Sequence, residues 1–148
     1  MLAHNLVLAR KRRYSDLTLK VVLRIVSLCL RFPFLECQGS LYSLLFAAKD
    51  GKIHTVVINS AECEPYLTAD TRTMLDESEA IFEGITLLER FIPSAERFIF
   101  GIENNKPECI EEMARIFQDN SKVTVKPLPS LYPQGAEKII VYNTTGLV

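Results

Sequence analysis

From Lys52 onward the apolar positions fall into short, sharply bounded blocks. "KIHTVVIN" is a β-branched run closed by polar residues, the pattern of a buried strand. "TRTMLDESEAIFEGITLLERFI" then places Met74, Leu75, Ile81, Phe82, Ile85, Leu88 and Ile92 at helical spacing, and Pro93 stops the helix. "ERFIFGIE" predicts a second strand over Phe98 to Ile102. "NNKPECIEEMARIFQD" predicts a second helix. Asn105 and Glu108 have the spacing of a capping pair, Pro107 is tolerated in the first turn, and Ile110, Met113, Ile116 and Phe117 form the stripe. "KVTVKPLP" is a third strand, and "YPQGAEKIIVYNTTG" reads as a type I or II turn leading into a final helix cut short by the chain end.

Strands alternating with helices imply βαβ units, hence a parallel sheet covered by helices. In such sheets ligands bind outside the carboxyl ends of the strands. Two unusual loops fall at those ends, "NSAECEPY" after the first strand and "PSLYPQGAEK" after the third, so both are expected to face one crevice. Residues 1 to 51 carry no sustained period and are read as a poorly defined N-terminal segment, with the α/β domain over 52 to 148.

Composition adds limits. At 148 residues the chain suits one domain, and 48% apolar with 24% charged residues describes a soluble globular protein. A net charge of -1 gives no reason to expect nucleic-acid binding. The basic residues Arg10, Lys11, Arg12, Arg13, Lys20 and Arg24 stand against a single Asp16 in the first 24 positions, and are read as a solvated arm. "LTLKVVLRIVSLCLRF" is apolar but interrupted by Lys20 and Arg24. A spanning helix needs about 20 mostly uncharged residues, so no transmembrane segment is expected and an ordinary buried segment is. The cysteines Cys29, Cys37, Cys63 and Cys109 lack the CxxC spacing of zinc or iron–sulfur ligands. With no signal-peptide pattern, reduced thiols in a cytosolic setting are expected.

The candidate chemistry lies in "NSAECEPYLTAD". Turns rarely need Asn59, Glu62 and Glu64 so close together. Glutamates beside a helix N-terminus are also favoured by the dipole without any ligand, by about 0.3–1 kcal/mol. Composition alone therefore favours a solvated, capped loop. Cys63 has only His54 near it in sequence as a base, so a nucleophilic cysteine is disfavoured.

Taken with its companions, the loop says more. "VVINSAECEPYLTADTR", "GIENNKPE" and "YPQGAEK", in this order and spacing, are similar to the C subunit of the Rnf ion-translocating electron transport complex, over about residues 52 to 148. That family is related to the flavin- and NADH-binding subunit of respiratory complex I. The resemblance implies a Rossmann-like three-layer α/β domain with a mostly parallel sheet, here incomplete and truncated at its C-terminus. It implies electron transfer with FMN as cofactor and NADH as candidate substrate, within an NAD:ferredoxin oxidoreductase complex in which this chain alone is not expected to be competent. The implied partners are other subunits of a membrane-bound complex, with no nucleic acid. The implied place is cytoplasmic, peripheral on the inner face of the cell membrane. Asn59 and Glu62 match positions contacting the flavin ring or ribityl chain, and Glu64 a position near the nicotinamide nucleotide. Tyr132 opens the second motif, Gly135 matches its glycine, and Glu137 its acidic residue facing the dinucleotide.

The chain also departs from the family pattern. Members carry a glycine-rich phosphate loop upstream, where this sequence reads "RIVSLCLRFPFLECQ" with Ser27, Cys29 and Leu30 in place of glycines. Side chains there obstruct close backbone approach to a phosphate. Two cysteine-rich iron–sulfur motifs of full-length members are absent too, so no cluster is expected in this chain. The alternative reading is a cofactor-less interaction module or a decayed copy.

Overall fold

The computed structural model describes residues 7–9, 20–23, 53–62 and 68–146, with the backbone alone described at 7–9, 20–23 and Glu137. The described elements are β1 (Val7–Ala9), β2 (Lys20–Leu23), β3 (Thr55–Ser60), α1 (Ala69–Asp76), α2 (Ser78–Phe91), β4 (Arg97–Glu103), α3 (Pro107–Ile116), β5 (Val123–Leu128) and α4 (Glu137–Thr145). They form a sheet in the order β1-β2-β3-β4-β5. β2, β3, β4 and β5 run parallel, with Val21 opposite Val56, Val57 opposite Ile99 and Phe100 opposite Val125. β1 closes one edge antiparallel, Leu8 facing Val21. The α/β class with a mostly parallel sheet is thus the architecture observed.

β3 and β4 are buried throughout, apart from Arg97 at the start of β4, as central parallel strands with both faces covered should be. Alternate residues serve opposite faces. Val56, Ile58, Phe98, Phe100 and Ile102 pack with Met74 of α1, Ile81, Ile85 and Leu88 of α2, and Met113 of α3. On the other face Val57, Ala61 and Leu128 meet Ile140 and Val141 of α4. Three helices therefore cover one face and α4 the other. The chain changes face after β5 by crossing the carboxyl rim of the sheet. Gly101 makes the α4 contact possible: a Cβ there would lie 2.9 Å from Ile140 Cδ1 and 2.9 Å from Leu128 Cδ1. β5 alternates half-buried and exposed positions and carries Pro127, which suits an edge strand.

Three local expectations are corrected. The single helix from Thr71 to Ile92 is two, divided at Glu77 with φ -125° and ψ 30°. Asp76 and Ser78 flank that residue, and such side chains compete with helical backbone bonding. The break also lets the Ser78 side chain hydrogen-bond Glu112 of α3. Asn105 does not cap α3. Lys106 holds the cap position, Pro107 begins the helix, and Asn105 Nδ2 donates instead to Ser130 Oγ at 2.8 Å. Finally, α4 is not cut short: Gly146 closes it in the left-handed conformation, φ 71°, with its N–H donating to the Tyr142 carbonyl. The turn before α4 carries a cis Tyr132–Pro133 peptide.

Candidate functional site

The carboxyl rim of the sheet is where β3, β4 and β5 release their chains. The end of β3 and the loop after β5 meet there. Asn59 Nδ2 donates to the Gly135 carbonyl at 2.8 Å across 76 positions of sequence, while Asn59 Oδ1 accepts the Ala61 N–H at 3.2 Å. Asn59 is 8% exposed, so its amide acts as a fixed bracket between the end of β3 and the loop after β5. A second tie, from Asn105 to Ser130, joins the β4–α3 loop to the same crossing segment.

Glu62 sits on the opposite side of the rim, among the N-termini of α1 and α3. Its Oε1 accepts the Asp70 N–H at 2.9 Å. Its Oε2 accepts from Thr71 Oγ1 at 2.7 Å and from Lys106 Nζ at 2.5 Å. Lys106 also donates to Thr71 Oγ1, which closes a three-membered network. The side chains are 2% exposed for Glu62 and 17% for Lys106, so this is a buried ion pair. Burial pushes the Glu62 pKa up, but the hydrogen bonds from Lys106, Thr71 and Asp70, with the Lys106 charge, bring it below the ordinary value. The carboxylate is an inward anchor. It satisfies an orphan N–H at the start of α1 and neutralises a lysine placed at the positive end of α3.

Glu103, the last residue of β4, is a second buried acid at 2% exposure. Burial pushes its pKa up; Lys106 opposes this and Glu62 reinforces it. Cys109 of α3 is fully buried in the core beneath Lys106, and burial raises its thiol as well, which makes it a packing residue.

Of the six positions singled out from sequence, Asn59 and Gly135 are in direct contact and Glu62 flanks them at the same rim. Tyr132 lies on the crossing loop at 80% exposure. Glu137 begins α4, placing its backbone at the end of that loop. Glu64 lies outside the described residues, as do Cys63 and residues 24–38, the segment expected above to replace a glycine-rich loop. Sequence reasoning missed Lys106, Thr71, Glu103 and Gln134. A signal existed for two of them. Lysine just before a helix is unfavourable against the dipole and calls for a carboxylate partner. An acid ending an otherwise apolar parallel strand stands where ligands bind. Gln134 and Thr71 read as ordinary turn and helix residues.

The donor set suits a polar ligand. Gln134 Nε2 and Ser60 Oγ at this rim are buried without a hydrogen-bond partner, although Gln134 is only 2% exposed and its Oε1 accepts from Asn143 at 3.2 Å. Buried donors left unpaired are costly, and ring carbonyls and ribityl hydroxyls are groups that could pair them.

A parallel α/β sheet with a loop crossing its carboxyl rim belongs to a class of domain whose ligands bind at that rim. Within it, residues 42–148 match the Nuo51 FMN-binding domain, and the chain belongs to that family. It is 44% identical over 97 residues to the C subunit of the proton-translocating ferredoxin:NAD(+) oxidoreductase complex of Clostridium ljungdahlii, covering 66% of this chain and 21% of that one. It is 39% identical over 97 residues to the C subunit of the ion-translocating oxidoreductase complex of Actinobacillus succinogenes, covering 66% and 14%. The corresponding protein of Haemophilus influenzae is 40% identical over 96 residues, covering 65% and 15%. The chain thus spans between 14% and 21% of the length of these relatives.

Proposed function

We propose that this chain is the FMN-binding part of a C subunit in an ion-translocating electron transport complex, where it would take part in electron exchange between a flavin and NADH. The observation that carries this reading is the Asn59–Gly135 hydrogen bond, which brings two motifs from distant parts of the sequence to one rim of the sheet. The family match supplies FMN as the ligand to test. The flavin, when bound, supplies the hydride and one-electron chemistry. The protein supplies orientation and hydrogen bonds, and no side chain need act as acid or base.

Under this reading Asn59 and Gly135 set the distance between the end of β3 and the crossing loop, and Gln134 offers its unpaired amide group to the ligand. Glu62 holds the rim from behind through Asp70, Thr71 and Lys106. Glu64, Tyr132 and Glu137 are proposed to face the nucleotide side. Among the described residues no helix is long and apolar enough to cross a membrane. By its likeness to C subunits of such complexes, we place the chain peripherally on its complex at the cytoplasmic face, held there by other subunits.

Titration of the purified chain with FMN, followed by quenching of flavin fluorescence, tests the proposal. Saturable quenching in the micromolar range is expected. Asn59→Ala should weaken it about tenfold, since losing one buried hydrogen bond costs about 1–1.5 kcal/mol. Absence of saturable quenching by the unmodified chain at high micromolar FMN would favour the cofactor-less interaction module instead.

A further inference from the structure

We propose that Asn143 of α4 sets the orientation of the Gln134 amide, so that the Gln134 NH2 group is presented to a hydrogen-bond acceptor of the ligand, a carbonyl oxygen of the flavin ring. The inference rests on the FMN reading and deepens it. It specifies which chemical group this side of the crevice takes, and it adds a positioning residue that neither the motifs nor the resemblance singled out.

Gln134 is held at every point but one. Its N–H donates to the Leu131 carbonyl at 2.7 Å, which closes the turn. The Gly135 carbonyl beside it takes the Asn59 amide at 2.8 Å, which ties this part of the crossing loop to β3. Its Oε1 accepts from Asn143 Nδ2 at 3.2 Å, which ties the side chain to α4. These anchors share one side of the sheet, because Asn59 alternates with Val57, a residue packed with Ile140 and Val141 of α4. Gln134 is 2% exposed, and its Nε2 is buried with no hydrogen-bond partner. One fixed donor is left over. Ser60 Oγ is buried and unpaired too, but it follows Asn59 in β3 and so belongs to the opposite face.

The two ends of a primary amide are not equivalent: the oxygen accepts and the NH2 group donates. A donor from Asn143 therefore holds the Gln134 oxygen toward α4 and the NH2 group away from Asn143. Turning the amide end for end would set one NH2 group against another. A buried donor without a partner is costly, and it stands here on the loop that crosses the carboxyl rim, where such sheets bind ligands. A ring carbonyl supplies the acceptor it lacks, whereas a ligand offering only donors would leave it unpaired. The amide is enclosed, so the crossing loop has to yield for a ligand to reach it. That loop is built to yield, with Leu131 and Tyr132 66% and 80% exposed and Asn59 as its tie to β3.

The test is an FMN titration of the full chain with Gln134→Met, Asn143→Asp and the double variant, each first checked by its thermal melt. Methionine keeps the length and removes the donor, so Gln134→Met should melt near the unmodified chain and lose about tenfold in affinity. The ring-carbonyl stretch of bound FMN in the infrared should rise in frequency in that variant, as one hydrogen bond to it is lost. Asn143→Asp replaces the NH2 donor with a carboxylate, which only accepts and so draws the Gln134 NH2 group toward itself. That variant should also lose about tenfold, with Gln134 itself intact, and it keeps the test decisive should Gln134→Met melt early. Added to Gln134→Met, Asn143→Asp should change affinity by less than about twofold, because its effect runs through the missing amide. Gln134→Met binding as well as the unmodified chain, an unmoved carbonyl stretch, or a full Asn143→Asp loss in the Gln134→Met background each overturns the inference and leaves the FMN reading standing. No binding by any of the proteins, the unmodified chain included, removes the FMN reading and this inference with it.

Discussion

At the scale of single residues, the rim shows how a carboxylate becomes structural once its oxygens are taken up by internal donors. Glu62 is enclosed by Asp70, Thr71 and Lys106, and its 2% exposure leaves it no route to solvent. Removing one member of a buried ion pair leaves the other charged and unpaired, which costs about 3–5 kcal/mol. Lys106→Met should therefore lower stability by about that amount in urea denaturation. The double variant Lys106→Met, Glu62→Gln should recover part of the loss, because no bare charge remains. Equal losses in the two proteins would show that the pair contributes only through packing. The pH dependence has a definite sign. Glu62 has a lowered folded pKa, so its contribution is present above the ordinary glutamate value of 4.5 and disappears as pH falls through the folded value. Glu103, with a raised pKa, acts oppositely: its contribution is present below 4.5 and is lost as pH rises through the folded value. An acid melt of Glu62→Gln should accordingly lack much of the stability that the unmodified chain gains as pH rises through the lowered folded value toward 4.5.

At the scale of elements, the helix on the far face depends on an absent side chain. α4 reaches the sheet because Gly101 lets Ile140 and Leu128 approach. Gly101→Val should push α4 outward and cost about 1–3 kcal/mol, the range for overpacking a close-packed contact. A lowered melting temperature with no shift in the α1–α3 side of the core, followed through the Phe82–Phe117 and Phe100–Phe117 ring contacts at 5.5 and 5.4 Å, would locate the damage. An unchanged melt would mean that Ile140 swings aside without loss. This dependence also marks what the sequence could show. β3, β4, β5 and the three helical segments were legible because their hydrophobic periods are strong and Pro93, Pro107 and the turn residues punctuate them. The division at Glu77 was not, since Met74, Leu75, Ile81 and Phe82 keep helical spacing across it. Asn105 looked like a cap because the motif is local, but Ser130 lies 25 positions away and takes its amide. β2 was hidden within an apolar stretch in which strand and buried helix look alike. In the site, Asn59 and Gly135 were legible as loop residues of one crevice, whereas the inward turn of Glu62 depends on Lys106, 44 positions away.

At the scale of the whole molecule, the change of face after β5 organises everything else. A chain that keeps its helices on one side of a parallel sheet leaves the other side bare. This one covers it with α4 and must therefore run residues 129–136 across the carboxyl rim, the place where such sheets bind ligands. That segment has little apolar anchorage of its own: Leu131 and Tyr132 are 66% and 80% exposed. Its position relative to β3 rests on Asn59, reinforced by the Asn105–Ser130 tie to the next loop. Asn59→Ala should therefore loosen the crossing loop without loosening the sheet. One lost hydrogen bond of about 1 kcal/mol corresponds to about fivefold faster opening. Amide exchange at Gln134 and Ala136, whose N–H groups bond within the turn to Leu131 and Pro133, should quicken by about that factor. Exchange at Val57 and Phe100 in the central strands should stay the same. Uniform acceleration everywhere would mean that Asn59 stabilises the whole fold, and no change at Gln134 and Ala136 would mean that the loop is held by its own turns. Only the localised result makes Asn59 a clamp on the crevice, and in that case bound FMN should slow exchange at those same two amides.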